Sequence, residues 1–256
     1  MISKIIALAN QKGGVGKTTS TINIGAFLAE MNLKILIIDI DPQGNSGSGL
    51  GLDIMSVKTN MYDWLLDRAD ASSAIQKTNI ANLEIIPSNI DLSGLEVDLR
   101  DAPEKDYVLK KKLDALKNQY DFILIDCPPS LGLLTINALT SADTVLIPLQ
   151  CEYFALEGLS QLLRIIKLVQ EKMNTELKIE GVLLTMYDSR TKLSAQVVQD
   201  VREHFGKDVY EIIIPRNVKL SEAPSFGEPI GIYDGSSAGA IAYRKLSKEI
   251  LEKNVR

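Results

Sequence analysis

An apolar run, Ile5-Ile6-Ala7-Leu8-Ala9, stops abruptly before three glycines, Gly13, Gly14 and Gly16, which lead into Lys17, Thr18 and Thr19. A buried strand, a glycine turn and a helix start in that order aim successive backbone N–H groups and the positive end of the helix dipole at one point. That is the electrostatic environment a phosphate needs. Lys17 adds a full charge to it, and Thr18 adds a hydroxyl able to hold Mg²⁺. An ordinary glycine turn would account for the glycines but not for the lysine and threonines directly behind them. The loop from Lys12 to Thr19, with Val15 between its glycines, is therefore the candidate site for a nucleoside triphosphate and Mg²⁺.

The rest of the chain repeats the βα unit that this loop begins. Continuous apolar runs predict buried strands over 34–40, 83–87, 121–126, 144–149, 179–185 and 209–214. Patterns of period 3.6 predict helices over 18–31, 105–117, 133–141, 156–173, 193–205 and 237–253. The stretch 44–73 is polar and irregular apart from a helical patch over 61–66, which carries the only tryptophan, Trp64, read as a packing residue. Strands alternating with helices predict an α/β fold: a P-loop NTPase with a doubly wound, mainly parallel sheet flanked by helices. No repeat or linker divides the chain, so 1–256 is expected to be one domain.

Composition excludes several classes. The net charge of −5 argues against a globally basic nucleic-acid binder, though not against a local basic patch. Two cysteines, Cys127 and Cys151, make no disulfide framework, and no long apolar span or signal peptide is present, so the expected location is the cytoplasm. The single His204 has no metal-ligand partner in sequence, and Lys110, Lys111 and Lys112 read as a solvated helix face.

Two predicted strands end in carboxylates. In parallel α/β sheets ligands sit outside the carboxyl ends of the strands. Asp41, in DIDPQGN, and Asp126, in DCPPS, should therefore point to the end where the glycine loop lies. Helix capping or turn formation is the plain alternative for each. Phosphoryl transfer needs charge neutralisation and a positioned water, so each aspartate has a role to fill. Asp126 would hold Mg²⁺, and Asp41 would orient the attacking water.

These motifs also carry a family resemblance. The loop spelled KGGVGKTT has Gln11 where the standard P-loop has its first glycine, and places a second lysine, Lys12, ahead of the glycines. That form resembles the deviant Walker A motif of the ParA/MinD ATPases. DIDPQGN, DCPPS, QCEYFALEGL, LTMYDSRTKLS and IPRNVKLSEAPSFGEPI are similar to ParA/Soj chromosome-partitioning ATPases over essentially the whole chain. The resemblance implies slow, partner-stimulated ATP hydrolysis in which Lys12, Lys17 and Asp41 serve catalysis, Lys12 by reaching the phosphates of a second subunit. It implies Mg²⁺ at Thr18 and Asp126, and the adenine along Pro215, Asn217 and Met186. Gly13 would lie where two subunits meet too closely for a side chain, as its missing Cβ also predicts.

Such a family closes into an ATP-bound homodimer, binds double-stranded DNA without sequence preference, and is released by a ParB-like centromere-binding protein. The resemblance thus implies a cytoplasmic, nucleoid-associated protein without stable membrane association. DNA contacts must come from a local patch, with Arg190, Arg216 and Lys219 as candidates and Lys192 and Lys245 beside them. Chromosomal members commonly have arginine in place of Lys219; lysine neutralises a phosphate but lacks the bidentate fork. Two other readings are a MinD-like ATPase cycling on membranes, which needs an amphipathic tail anchor, and a DNA-binding regulator that uses ATP as a clamp. The tail AYRKLSKEILEKNVR is expected to pack on its own sheet.

Overall fold

Strand β1 (Lys4–Leu8) is covered on both faces: Ile5 and Ala7 enter one hydrophobic layer, Ile6 and Leu8 the other. Side chains alternate across a strand, so a strand with helices on both sides must be apolar throughout. The computed structural model describes residues 3–152 and 155–254. The other strands are β2 (Ile35–Asp39), β3 (Gln76–Lys77), β4 (Leu83–Ile86), β5 (Phe122–Asp126), β6 (Thr144–Gln150) and β7 (Lys178–Thr185). They form a seven-stranded sheet in the order β3-β4-β2-β5-β1-β6-β7, parallel except where β3 meets β4.

Register decides where the chemistry falls. Leu8, the last residue of β1, lies opposite Asp126 on β5, and Asp126 lies opposite Asp39 on β2. The three neighbouring strands therefore release the glycine loop, the Asp126 turn and the Asp41 loop at one end of the sheet.

Helices α1 (Lys17–Glu30), α2 (Asn45–Gly49), α3 (Met61–Leu65), α4 (Ala71–Ala74), α5 (Leu95–Asp98), α6 (Val108–Asp114), α7 (Leu133–Ser141), α8 (Ala155–Lys172), α9 (Lys192–Phe205), α10 (Val218–Glu222), α11 (Ile230–Tyr233) and α12 (Ala238–Asn254) cover the sheet. One layer contains Leu139, Leu162, Ile166 and Val201 from α7, α8 and α9, and Trp64 is buried in it as a packing residue. The other layer packs Ile24, Phe27 and Leu28 of α1 with Tyr243, Leu246 and Ile250 of α12. The amphipathic face of the tail is thus occupied by the chain's own core, and Tyr243 Oη shares a 2.9 Å hydrogen bond with Ser20 Oγ. No helix among the described residues is long and apolar enough to cross a membrane.

Two expectations need correction. The segment 209–214 is not a strand: it touches β7 through an isolated bridge, Val182 with Val209, and the next bridge pairs Tyr187 with Pro215. Between Tyr210 N–H, bound to Val182 O, and Ile214 N–H, bound to Leu184 O, the chain bulges outward. The Glu249 carboxylate on α12 takes the Glu211 and Ile212 N–H groups at 2.8 and 3.2 Å, groups that a ladder would have used. The stretch 44–73 is more ordered than expected, because side chains cap its short helices: Asn60 and Asp63 close a reciprocal capping box on α3, and Asp70 caps α4.

Candidate active site

The glycine loop is held by polar contacts at both ends. Asn10 Nδ2 donates to Pro148 O at 2.8 Å, and Asn10 Oδ1 accepts the Lys12 N–H at 3.0 Å. On the far side Thr185 Oγ1 donates to Val15 O at 2.9 Å. Gly14 and Gly16 have φ of 72° and 90°, a region that side chains with a Cβ enter at a cost. Gly16 is the N-cap of α1 and offers no side chain to the first N–H groups of the helix. Those donors and the dipole behind them are left for an anion. Lys17 is buried, its Nζ donating to Lys12 O at 3.1 Å. Burial lowers its pKa, opposed by the nearby carboxylates of Asp126 and Asp41.

The carboxylates meet beside it. Asp126 is fully buried; desolvation raises its pKa to about 6, against hydrogen bonds from Thr18 and Ser46 that favour the charged form. Asp41 is buried too, and its Oδ1 accepts the Gln43 N–H at 3.0 Å. Thr18, Lys17, Asp126 and Asp41 thus converge on the start of α1. A hydroxyl and a carboxylate at an uncapped helix start form a donor set suited to Mg²⁺ with phosphate oxygens.

A cavity of about 300 Å³ continues from this point, lined by Gly16, Thr19, Met186, Pro215, Asn217 and Tyr243. Asn217 Oδ1 is buried and accepts no hydrogen bond, an open acceptor that fits the exocyclic amine of adenine. Pro215 and Met186, the latter at φ 52°, line the same cavity. A larger groove of about 690 Å³ opens at the opposite end of the sheet, near Lys34, Lys77 and Tyr120, and contains none of the predicted site residues.

Arg216 lines the smaller cavity, and each of the three basic candidates has an acidic partner. Arg190 holds Asp188 with Nε and Nη2 at 2.9 and 2.7 Å, keeping that carboxyl far below its ordinary pKa. Arg216 lies 3.4 Å from Glu152, and Lys219 lies 2.8 Å from Glu222. Lys12 Nζ sits 3.5 Å from Glu152. Cys127 and Cys151 are buried free thiols, and His204 is exposed against Phe205. Lys111 and Lys112 pair with Glu104 and Asp67.

Sequence reasoning missed Asp39 and Ser46, both fully buried. Asp39 accepts the N–H groups of Asp41 and Ser46, and Ser46 Oγ donates to Asp126 Oδ2 at 2.8 Å. The available signal was the doubled carboxylate of DID at a strand end, where burial of both is costly.

The chain matches the family model described as an AAA domain over residues 3–179. It is 55% identical over 249 residues to the sporulation initiation inhibitor protein Soj of Bacillus subtilis, covering 97% of this chain and 98% of that one. It is 54% identical over 253 residues to the chromosome-partitioning ATPase Soj of Treponema pallidum, covering 99% of both. Among solved structures, a protein named cobyrinic acid a,c-diamide synthase from Mycobacterium smegmatis, with bound ATP analog and magnesium, superposes with a TM-score of 0.89. It is 39% identical, and the match covers 100% of this chain and 97% of that one.

Proposed function

The chain belongs to the Soj/ParA family of chromosome-partitioning ATPases, and from that premise we propose that it is an ATP-driven switch for DNA segregation. Two ATP-bound copies close face to face, and the dimer holds duplex DNA without sequence preference. A ParB-like partner then speeds hydrolysis and frees the chains, which work in the cytoplasm on the nucleoid.

The cofactors are ATP and Mg²⁺. Thr18 and Asp126 would hold the ion, which supplies charge neutralisation at the phosphate oxygens when bound. Lys17 and the N–H groups of Gly13, Gly14, Val15, Gly16, Thr18 and Thr19 cradle the phosphates. Asp41 orients the attacking water, and Lys12 reaches the phosphates of the second copy. Pro215 and Met186 flank the adenine while Asn217 accepts its amine. Arg190, Arg216 and Lys219 meet DNA phosphates. Their carboxylate partners are no bar, since ion pairs at the protein surface are weak and the phosphates of a duplex compete for the same cations.

The observation that carries this reading is the convergence of Lys17, Thr18, Asp41 and Asp126 at an uncapped helix start. The test is binding to random-sequence duplex with ATP, with ADP and without nucleotide, for wild type, Asp41→Ala and the double variant Arg190→Glu, Lys219→Glu. Binding is expected to need ATP, to persist in Asp41→Ala as hydrolysis stops, and to vanish in the double variant. DNA binding indifferent to nucleotide, or unaltered by the charge reversals, sinks the reading.

A further inference from the structure

Both oxygens of the Asp39 carboxylate are engaged by backbone. Oδ1 accepts the Asp41 N–H at 3.1 Å, and Oδ2 accepts the Ser46 N–H at 3.0 Å. One side chain thereby closes the loop that carries Asp41 onto the end of β2. The loop is fixed at two further points: Ile40 N–H donates to Asp126 O at 3.1 Å, and Ser88 Oγ donates to Asp41 O at 2.5 Å. Ser46 then crosses to the next strand, its hydroxyl reaching Asp126 Oδ2, and Thr21 Oγ1 approaches Oδ1 of the same carboxylate at 3.4 Å. All of these side chains are buried.

Placing Asp39 beside Asp126 in adjacent register, out of water, is unfavourable for packing alone. An asparagine would fit the space but offers only one acceptor oxygen, whereas the two N–H groups here require two. What the second oxygen secures is the relation between the Asp41 loop and the Asp126 carboxylate.

We propose that Asp39 and Ser46 are positioning residues for ATP hydrolysis: Asp39 fixes the loop bearing Asp41, and Ser46 orients Asp126, so that the two functional carboxylates move as one unit. This rests on the reading of Asp41 as the hydrolytic group and Asp126 as the Mg²⁺ carboxylate. Partners that orient a metal-binding carboxylate typically change metal affinity 10–100-fold when removed.

Two readouts besides turnover test it. In the nucleotide-free full chain, Asp39→Asn should speed amide hydrogen exchange at Asp41 or Ser46 by about tenfold or more while the β1 amides keep their protection. With a fluorescent ATP analogue (methylanthraniloyl-ATP) as probe, Ser46→Ala should raise the Mg²⁺ concentration for half-maximal binding by about 10–100-fold. It should leave binding in EDTA unchanged, and in an Asp126→Asn background it should add nothing further. In turnover, Asp39→Asn should lower kcat with little change in KM. Wild-type exchange at both amides in Asp39→Asn overturns the proposal. So does an unaltered Mg²⁺ requirement in Ser46→Ala when Asp126→Asn shifts it. If Asp126→Asn itself leaves the Mg²⁺ requirement unchanged, the underlying metal reading fails and takes the proposal with it.

Discussion

Lys12 and Glu152 face one another at 3.5 Å beside the phosphate loop, and the same Glu152 carboxylate lies 3.4 Å from Arg216. Both partners in the Lys12 pair are more than a third exposed, at 37% and 44%. The contact therefore contributes at most about 1 kcal/mol. A triphosphate carries several charges and readily outcompetes one shared carboxylate, which leaves Lys12 available to a second copy. Lys12→Ala should shift the thermal midpoint by no more than about 4 °C. It should also preserve ATP binding by the single chain and abolish the ATP-dependent dimer in analytical sedimentation. A dimer that persists would place the work of Lys12 elsewhere.

Gly13 and Gly16 should respond differently to the same change. A Cβ on Gly13 would meet only Pro129 Cβ, at an ordinary 3.9 Å, so the chain's own fold does not require glycine there. Gly16 has φ 90°, where an alanine costs about 1–2 kcal/mol. Gly13→Ala should therefore fold and bind ATP as wild type yet weaken ATP-dependent association by about tenfold or more. Gly16→Ala should lose both stability and ATP binding. Equal dimerisation by Gly13→Ala and wild type would remove the close approach of subunits as the reason for that glycine.

The contrast between legible and hidden residues follows from how far each signal travels along the chain. The glycine loop, Asp41 and Asp126 were readable because a buried apolar run and the polar residue ending it are adjacent in sequence. Pro215, Asn217 and Met186 were placed by family likeness, and they do line one cavity with the loop. Ser46 was hidden because its partner Asp126 is 80 residues away, and nothing local distinguishes it from a turn serine. The failed strand at 209–214 has the same cause: its apolar pattern is intact, but Glu249 on a distant helix takes its N–H groups. The helices α2, α10 and α11 are four or five residues long, shorter than the window in which a 3.6-residue period can be read.

The buried carboxylates predict an unusual pH response in the absence of nucleotide. Asp126 is raised from 3.8 to about 6, first by burial, and Asp39 is raised by burial and then by Asp126. An acid whose folded pKa exceeds its unfolded value holds its proton more tightly in the native state. Its contribution is therefore most favourable below 3.8 and is lost as pH rises through about 6, a change on the order of 3 kcal/mol for Asp126. Thermal midpoints in EDTA should show wild type losing ground to Asp126→Asn between pH 4 and 6.5. MgATP should narrow that gap at pH 7. A difference that stays constant across the range contradicts the assignment of a raised pKa to Asp126.

Base selection should reside in Asn217. Its Oδ1 is buried without a donor, and an acceptor in that condition costs about 1–3 kcal/mol until a ligand satisfies it. The 6-amino group of adenine donates, whereas guanine presents a second acceptor at the equivalent position, so the two bases meet the same atom with opposite signs. Sites built around a buried polar atom discriminate strongly, because the wrong ligand leaves that atom unpaired. Competition titrations should show wild type preferring ATP to GTP. Asn217→Ala should weaken ATP binding by about tenfold, affect GTP far less, and so narrow the preference. Asn217→Asp retains the acceptor oxygen and should retain the preference for adenine. If ATP and GTP weaken equally in Asn217→Ala, the side chain serves packing around the cavity, and selection falls to the apolar walls formed by Pro215 and Met186.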